Sequence, residues 1–261
     1  MLIMIYQQYA EFYDLVYEDK DYQYEAEIID ELIQKNAPEA KSIIEFGCGT
    51  GRHAAHWAKM GYEVHGLDMS ESMLTAARRR QKALDVASFK RLNFSLGDIR
   101  TVRLSAQYDA VVCLFHVLSY QTTNSDLQNA LQTISTHLAP SGVCVADFWY
   151  GPGILSFPQA VRVKRVKNDT RKILRLSEAT MYPNEHIVSV DYDFFVEETG
   201  EQGLAQHFSE THRMRYFFIP ELTKFIQRAG LSTVDWRDWI TQRQPTNDSW
   251  SVYTVLRKNM P

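Results

Sequence analysis

Cysteine is scarce in this chain, which contains three cysteines among 261 residues. Cys48, Cys113 and Cys144 lie far apart, each in an apolar, strand-like segment. An odd number of widely spaced cysteines excludes a disulfide framework as the basis of the fold, and without a CxxC pair nothing indicates a metal site. We therefore expect three buried, reduced thiols and no bound metal.

The chain also lacks long apolar runs and an excess of positive charge. No uncharged apolar stretch approaches the roughly 20 residues that cross a bilayer, and the first residues lack the cationic region of a secretion signal. The formal net charge of -4 gives no general basic field of the kind that nonspecific nucleic-acid binding requires. We expect a cytoplasmic protein that binds neither membranes nor nucleic acid.

Short apolar runs alternate with longer helical patterns between residues 41 and 149, which is typical of parallel strands connected by helices. Strands are predicted at residues 42–46, 62–68, 89–96, 108–115 and 142–148. Helices are predicted at residues 52–60 and 125–138, and another begins after Ser70, a suitable N-cap. The segment Pro140-Ser141-Gly142 is predicted to be the turn that closes the 125–138 helix.

The pattern changes after residue 148, where long alternating stretches predict antiparallel hairpins. They cover residues 161–167, 172–182, 186–197 and 207–218, and are followed by a helix at 221–229 and strands at 231–240 and 249–256. The predicted fold class is α/β: a Rossmann-like, seven-stranded, mostly parallel sheet with helices on both faces, an inserted antiparallel β cap and an N-terminal helical lid. The predicted division is a lid at residues 1–40, a core at 41–149 and 219–261, and an insertion at 150–218.

A glycine-rich loop, EFGCGTG at residues 45–51, follows the first predicted strand. Glycines permit positive φ and let a ligand approach the backbone, whose amides then face an anion or a carboxylate. A dinucleotide-binding loop would have a third glycine or an alanine where this chain has Arg52. NAD therefore fits the loop less well; it stays an alternative, as does a simple tight turn.

Two carboxylates follow the next two predicted strands. Asp68 ends the second strand, where a carboxylate accepts both hydroxyls of a ribose, whether the ligand is NAD or S-adenosylmethionine. Asp98, in the segment Gly97-Asp98-Ile99 after the third strand, is placed to meet the edge of an adenine, and dehydrogenases have no regular counterpart to it. The alternatives are a carboxylate at a helix N-terminus for Asp68 and a turn residue for Asp98.

These segments, together with residues 109–115, resemble in order the signature motifs of class I S-adenosylmethionine-dependent methyltransferases over residues 41–148. The resemblance implies S-adenosylmethionine as the cofactor. It implies that Glu45 helps hold the methionyl amino group, that Asp68 holds the ribose, and that Asp98 holds the adenine amino group. The other cofactor-binding residues that we infer are Gly47, Gly49 and Gly51 on the methionyl carboxylate side, and Met69, Met73, Ile99 and Leu114.

Aromatic residues recur near the N-terminus at three- and four-residue spacing, as on one face of a short helix. They are Tyr6, Tyr9, Phe12, Tyr13 and Tyr17. With Asp21 and Tyr22, this segment resembles the N-terminal lid of small-molecule methyltransferases, especially those acting on dTDP-linked amino sugars. The resemblance implies that Tyr13 and Tyr22 lie over the cofactor; packing on the main domain is the alternative for these aromatics.

Residues 114–120 follow the fourth predicted strand, where the transferred methyl group is expected to emerge. His116 and Tyr120 are the predicted catalytic residues, and His116 titrates near neutral pH as a base requires. Helix packing is the alternative for both, and catalysis by proximity alone stays open. Trp149 and Tyr150 leave the fifth strand at its carboxyl end, where open α/β sheets bind ligands, so they are predicted to line the acceptor pocket or else to anchor the cap.

Paired cations in the insertion suggest an anionic acceptor. Arg213 and Arg215 share one face of a predicted strand and suit a phosphate or a carboxylate, and Arg162 and Lys164 repeat the pattern. The alternatives are a dimer interface formed by the cap, or a solvated face on which these cations pair with Glu178, Glu197 or Glu210.

The sequence as a whole predicts transfer of a methyl group from S-adenosylmethionine to an N or O atom of a small polar metabolite. A nucleotide-linked or otherwise phosphorylated sugar is the preferred acceptor, and a homodimer through the β insertion is one expected assembly. The alternatives are an NAD-type oxidoreductase and a noncatalytic protein that binds an adenosyl ligand. Nucleic-acid methylation is disfavoured by the acidic balance and by LFHV at residues 114–117, where such enzymes carry an Asn/Asp-Pro-Pro-Tyr-type tetrapeptide.

Overall fold

The computed structural model of the chain describes residues 9–157, 160–198 and 206–259, so Tyr6 lies outside the described residues. The helices are α1 (Ala10–Val16), α2 (Tyr22–Asn36), α3 (Arg52–Met60), α4 (Glu71–Lys82), α5 (Val86–Arg91), α6 (Asn124–His137), α7 (Gly151–Ser156) and α8 (Ile219–Arg228). The strands are β1 (Ser42–Phe46), β2 (Glu63–Asp68), β3 (Leu92–Leu96), β4 (Tyr108–Cys113), β5 (Leu138–Tyr150), β6 (Arg162–Lys167), β7 (Arg171–Tyr182), β8 (Ile187–Glu198), β9 (Gln206–Phe217), β10 (Leu231–Asp238) and β11 (Ser251–Lys258).

The central sheet has the strand order β3-β2-β1-β4-β5-β11-β10. The first five of these strands are mutually parallel, while β11 runs antiparallel to β5 and β10 antiparallel to β11. The order reverses between β1 and β4, which is the kind of switch point where open α/β sheets bind ligands. The predicted seven-stranded, mostly parallel sheet is therefore confirmed.

Helices cover both faces of this sheet because successive strand residues point to opposite sides. Ile44 of β1 packs with α6 and α8, in a core that includes Leu131 and Ile226. Ile43 points the other way and packs with α2 and α3, where Trp57 is fully buried. The continuous apolar runs of β1 and β4 follow from this two-sided burial.

Strands β6 to β9 form an antiparallel meander, in which each strand pairs with the next along the chain. The meander joins the central sheet through a short parallel contact of β5 with β9, between residues 149–150 and residues 216–217. One of its faces packs on α1, where Tyr9 and Phe12 meet Phe194 and Phe208. We call strands β6 to β9 the cap sheet. The predicted domain boundaries and a dimer formed through this region stay predictions.

Two local predictions were wrong. Phe89 was expected in the third strand but lies in helix α5, because the Asp85 side chain caps that helix by accepting hydrogen bonds from the backbone N–H groups of Ala87 and Ser88. The segment at residues 140–142 was expected as a turn but belongs to β5. The pairing of β5 with β4 is irregular here, because β5 advances five residues from Leu138 before it pairs with β4 again. The resulting bulge accommodates a proline, which has no N–H to donate.

Among the described residues, no helix is both long enough and apolar enough to span a bilayer.

Candidate active site

The glycine loop connects β1 to α3 at the carboxyl end of the sheet. Gly47, Gly49 and Gly51 have φ values of 71°, 53° and 72°, in the left-handed region that favours glycine. The backbone N–H of Gly47 donates to the carbonyl of Leu67 at 2.7 Å, which ties the loop to β2. A Cβ at Gly47 would lie 2.3 Å from Cγ2 of Val117, so this position also needs glycine for a close approach. The loop conformation expected from the sequence is thus present.

Asp68 at the end of β2 fixes the same loop from the other side. Its carboxylate accepts hydrogen bonds from the backbone N–H of Gly49 and that of Ser70, both at 2.8 Å. Ser70 in turn caps α4 by accepting from the backbone N–H of Met73. Burial raises the pKa of Asp68, and the backbone hydrogen bonds counteract that rise. The carboxylate is therefore oriented before any ligand arrives.

Asp98, after β3, is held by a cation. Arg100 donates to its carboxylate through Nε at 2.9 Å and through a terminal nitrogen at 2.6 Å. Burial opposes ionisation of Asp98, but the hydrogen bonds from Arg100 outweigh it and keep the pKa of the carboxyl below its usual range. Arg100 also lies 3.6 Å from Asp126. Asp98 is therefore an ionised carboxylate in a fixed orientation.

Glu45, in β1, is a buried carboxylate with an unsatisfied oxygen. Its side chain is 2% exposed, and among the described residues Oε2 has no hydrogen-bond partner. Its Oε1 lies 3.6 Å from Nδ1 of His53, whose Nε2 is 2.8 Å from Glu25. Burial raises the pKa of Glu45, an effect that His53 partly offsets. A buried acceptor without a donor is costly unless a ligand supplies one, and an ammonium group would do so.

Tyrosines from the N-terminal segment cover this region. The hydroxyl of Tyr22 is buried and has no partner among the described residues, while the guanidinium of Arg52 lies 4.2 Å from its ring centroid. Tyr13 is buried and meets the ring of Phe115 edge to face at 6.3 Å. Burial raises the pKa of both tyrosines, so their hydroxyls stay protonated at neutral pH.

These residues surround one cavity of about 250 Å³. Twelve of the residues predicted to bind cofactor or to act in catalysis line it: Tyr13, Tyr22, Glu45, Gly47, Gly49, Asp68, Met69, Met73, Asp98, Ile99, Leu114 and Tyr120. The sequence analysis did not assign Arg52, His53, Phe115 or Gln121 to the site, although they also line it. The position of Arg52 and His53 directly after the glycine loop was the available signal for two of them.

His116 is not among the residues that line the cavity, although its neighbours Phe115 and Val117 are. Its backbone has a φ of 68°, and its N–H donates to the carboxylate of Asp147 at 2.6 Å. Its Nδ1 is buried, has no hydrogen-bond partner among the described residues, and lies 3.6 Å from Asp147. Burial lowers the pKa of His116, so the imidazole is neutral at physiological pH. Its role as a base stays a prediction.

The structure does not bring the predicted acceptor-binding arginines to the cavity. Arg213 is exposed on the outer face of the cap sheet and pairs with Glu185 at 3.2 Å. Arg215 is 6% exposed and forms an ion pair with Glu221 of α8. The two arginines share a strand face as expected, but each is neutralised by a carboxylate from another element.

Three other predicted residues also lie outside the cavity lining. Gly51 is the N-cap of α3, and a Cβ there would lie 2.6 Å from Cζ of Phe94. Trp149 is buried and meets the ring of Trp250 edge to face at 5.8 Å, while Tyr150 packs against the core below the sheet. Trp149 and Tyr150 thus anchor the junction between the sheet and the cap.

The cavity fits S-adenosylmethionine, which carries an ammonium group, a carboxylate, a ribose and an adenine. The unsatisfied Oε2 of Glu45 suits the ammonium group, and Gly47 and Gly49 line the cavity without a side chain that would obstruct the methionyl carboxylate. Asp68 and Asp98 follow successive strands, in positions to meet the ribose and the adenine. The unpartnered Tyr22 hydroxyl is a further polar group that a ligand in this cavity would satisfy.

Comparisons relate the chain to known proteins. The Methyltransferase domain family matches residues 43–142. The chain is 33% identical over 225 residues to the dTDP-3-amino-3,4,6-trideoxy-alpha-D-glucopyranose N,N-dimethyltransferase of Streptomyces venezuelae, with 85% of this chain and 90% of the relative covered.

Two solved structures share the fold. The crystal structure of Streptomyces venezuelae DesVI has a TM-score of 0.80 at 30% identity, with 96% of this chain and 98% of the other covered. The structure of S-adenosylmethionine-bound CalS10, an amino pentose methyltransferase from Micromonospora echinaspora, has a TM-score of 0.75 at 26% identity, with 97% and 98% covered.

Proposed function

The chain belongs to the class I S-adenosylmethionine-dependent methyltransferases, and from that premise we propose that it methylates the amino group of a nucleotide-linked sugar. The relatives described above are named for N-methylation of a dTDP-linked amino sugar and for methylation of an amino pentose. An acceptor of this class carries a nucleophilic amine at one end and a diphosphate at the other. The site therefore needs an alignment of the amine with the cofactor and a separate group that binds the anion.

The observation that carries this proposal is the environment of Arg175 in β7. This arginine is half-buried, and no carboxylate among the described residues forms a salt bridge with it. Its guanidinium lies 5.2 Å from the ring centroid of Tyr192 and 3.3 Å from the hydroxyl of Tyr17, while its Nε is buried without a hydrogen-bond partner. A desolvated guanidinium normally pairs with an anion. A diphosphate would supply the missing acceptor.

The residues around Arg175 connect it to the cofactor cavity. Lys164 lies opposite Arg175 in the register of β6 and β7, and its ammonium pairs with Asp19. The ring of Tyr17 is edge-on to Phe115 at 5.1 Å, and Phe115 lines the cofactor cavity. Arg175 is thus linked to the cavity lining through Tyr17 and Phe115.

The protein contributes to the reaction mainly by aligning the acceptor amine with the methyl group and by excluding water. Bound S-adenosylmethionine supplies an activated methyl group. Tyr13, Phe115 and Tyr120 line the cavity, where their side chains exclude water from the space that they fill. Holding the amine on line with the methyl group at near-contact distance accounts for most of the rate enhancement that such a site requires.

The proposal is tested by labelled methyl transfer. The protein is incubated with S-adenosylmethionine and either a dTDP-linked amino sugar or the same amino sugar without the nucleotide. We expect transfer to the amine of the linked sugar, with a KM about 100-fold lower than that of the free sugar, because the diphosphate forms charge-assisted hydrogen bonds. Equal KM values for the two acceptors, or no turnover of linked amino sugars, would contradict the proposal.

Substitution of Arg175 locates the anion site. Arg175→Gln is expected to raise the KM for the linked sugar about 10- to 100-fold, since a hydrogen bond to a charged group is worth about 1.5–3 kcal/mol, and to leave kcat within a few-fold of wild type. Arg213→Gln is the matched control, because Arg213 lies on the same sheet but is exposed and paired with Glu185. An equal effect of the two substitutions would exclude Arg175 as the anion site.

A further inference from the structure

Tyr120 connects the cofactor cavity to a buried histidine of the cap sheet. It lies in the short turn after β4 and lines the cavity. Its hydroxyl is 2.8 Å from Nδ1 of His212, a residue of β9 that is 2% exposed. The two residues are 92 positions apart in the sequence, so only the docking of the cap sheet onto the core brings them together.

Glu210 completes the arrangement and determines where the imidazole carries its proton. It lies two residues before His212 on the same face of β9, and its Oε2 is 3.3 Å from Nε2 of His212. A carboxylate can only accept a hydrogen bond, so Nε2 carries the proton, and in the neutral imidazole Nδ1 then presents its lone pair to the Tyr120 hydroxyl. The other oxygen of Glu210 accepts from the backbone N–H of Tyr9 at 3.3 Å, which holds the carboxylate in place.

We propose that Tyr120, His212 and Glu210 form a proton relay that removes one proton from the acceptor ammonium before methyl transfer. This inference rests on the proposed function, because an amino sugar reaches the site largely protonated and an ammonium group has no lone pair for attack. Tyr120 is the catalytic residue that touches the acceptor. His212 and Glu210 are positioning residues that act through it.

The proton balance of the relay is closed. A proton leaves the acceptor nitrogen for the hydroxyl oxygen of Tyr120, while the hydroxyl proton of Tyr120 passes to Nδ1 of His212. The resulting imidazolium keeps its Nε2 proton and donates a hydrogen bond through it to the carboxylate of Glu210, which stays ionised. The freed lone pair attacks the sulfonium methyl group, the carbon–sulfur bond breaks, and its electron pair stays on sulfur. When the product leaves, the proton returns through Tyr120 to water entering the cavity.

The ionisable groups around His212 favour the imidazole, and not a neighbouring side chain, as the acceptor of the proton from Tyr120. Tyr192 from β8 meets the His212 ring perpendicularly at 5.0 Å, and Tyr9 from the N-terminal segment does so at 6.4 Å. Burial raises the pKa of both tyrosines, so they stay neutral. The guanidinium of Arg175 lies against the Tyr192 ring, 5.2 Å from its centroid, and its positive charge opposes that of the imidazolium. Glu210 counters that charge from hydrogen-bond distance.

Kinetics against pH separate this role from a structural one. His212→Gln is expected to lower kcat about 100-fold at pH 7 with little change in the KM for S-adenosylmethionine, within the range of general-base effects. The loss should shrink to a few-fold at about pH 9, because the acceptor amine, resembling an α-amino group with a pKa of about 8, is then deprotonated by solvent. Glu210→Gln should show the same trend at about 10-fold.

His207→Gln is the matched control, because His207 lies on the same strand with its own carboxylate, Asp193 at 3.4 Å, but is exposed on the other side of the cap. It should behave as wild type at every pH. A loss of kcat in His212→Gln that does not depend on pH, or no loss at pH 7, would overturn the relay.

A second measurement needs no acceptor. Nitrogen-15 NMR of the histidine side chains, on protein loaded with S-adenosylhomocysteine, reports which ring nitrogen of His212 carries the proton. We expect a protonated Nε2 in the wild type, with loss of that preference in Glu210→Gln. A protonated Nδ1 in the wild type would refute the relay even if amino sugars are methylated. Conversely, the expected tautomer together with no turnover of amino sugars would disprove the proposed acceptor and not the geometry of the relay.

Discussion

The two halves of the site are assembled in different ways. In the core half, the groups that line the cavity are glycines of the loop and carboxylates in or just after β1, β2 and β3. The position of each of these groups is fixed by the strand in which it lies or which it follows. In the cap half, the contacts join residues far apart in the chain, such as Arg175 with Tyr17 and His212 with Tyr120. The residues proposed to bind the cofactor are therefore placed by local sequence, whereas those proposed to bind the acceptor come together only through docking of the cap sheet.

The two halves also differ in charge. The core half presents Glu45, Asp68 and Asp98, which suit the ammonium group, the ribose and the adenine of the cofactor. The cap half presents Arg175, which suits an anion, whereas Lys164 beside it is paired with Asp19. Substitutions in the core half should therefore change affinity for S-adenosylhomocysteine and leave the acceptor KM intact, whereas Arg175→Gln in the cap half should raise the acceptor KM and leave that affinity intact. The following predictions test the core half of this comparison.

The largest effect is expected for Asp68→Ala. The substitution removes the carboxylate that holds the loop at Gly49 and that we propose to meet the ribose, so affinity for S-adenosylhomocysteine should fall about 100- to 1000-fold by calorimetry. Asp85→Ala is the control, because Asp85 caps α5 away from the cavity and its loss should lower the unfolding temperature slightly without weakening affinity for the ligand. Unchanged affinity in Asp68→Ala would place the cofactor elsewhere.

A smaller effect with a distinct pH dependence is expected for Glu45→Gln. Burial raises the pKa of Glu45, so the wild-type carboxyl gains a proton at a higher pH than an ordinary glutamic acid, and its affinity for the ammonium group should fall as the pH drops below neutral. Glu45→Gln should bind S-adenosylhomocysteine about 10-fold more weakly at pH 7 and show a flatter pH dependence.

The stability of the ligand-free protein should move in the opposite direction in this variant. A carboxyl with a raised pKa stabilises the fold at low pH and loses that contribution as the pH rises through its folded pKa. Thermal unfolding of ligand-free Glu45→Gln at pH 7 should therefore occur at or above the wild-type temperature. A variant that unfolds at a lower temperature would show that the ionised carboxylate is already satisfied within the protein.

The smallest effect is expected for Tyr22→Phe. The Tyr22 hydroxyl is buried without a partner among the described residues, so its removal should leave ligand-free stability unchanged or raise it by up to about 1 kcal/mol. If the hydroxyl serves the cofactor, affinity for S-adenosylhomocysteine should fall about 3- to 5-fold. The same measurement on Tyr24→Phe is the control, since Tyr24 is 56% exposed on the same helix. Equal affinities of the two variants for S-adenosylhomocysteine would show that the Tyr22 hydroxyl does not contact the cofactor and that Tyr22 serves only in packing.

The core half was predictable because its signals are local. A glycine pattern at the end of a buried strand requires positive φ wherever the strand turns sharply into a helix, and Gly47, Gly49 and Gly51 all have it. Asp68 follows its strand in the same way. The limits of α5 were missed because capping by Asp85 overrides the strand-like pattern around Phe89.

The cap half was only partly predictable. Strand alternation correctly placed Arg213 and Arg215 on one face of β9. Alternation does not predict which element packs on a strand face. The sequence therefore did not predict the ion pair of Arg215 with Glu221 of α8 or the hydrogen bond between His212 and Tyr120. Arg175 gave no signal in the sequence, because its importance lies in the absence of a carboxylate partner among the described residues.

The most direct test of a single site shared by the two halves is a crystal structure with S-adenosylhomocysteine and a dTDP-linked amino sugar bound together. We expect the adenosyl ligand between Glu45 and Asp98, the diphosphate on Arg175, and the amine near the Tyr120 hydroxyl, within about 5 Å of the sulfur, which leaves space for the transferred methyl group. A diphosphate bound away from Arg175, or an amine that does not face the sulfur, would contradict this account.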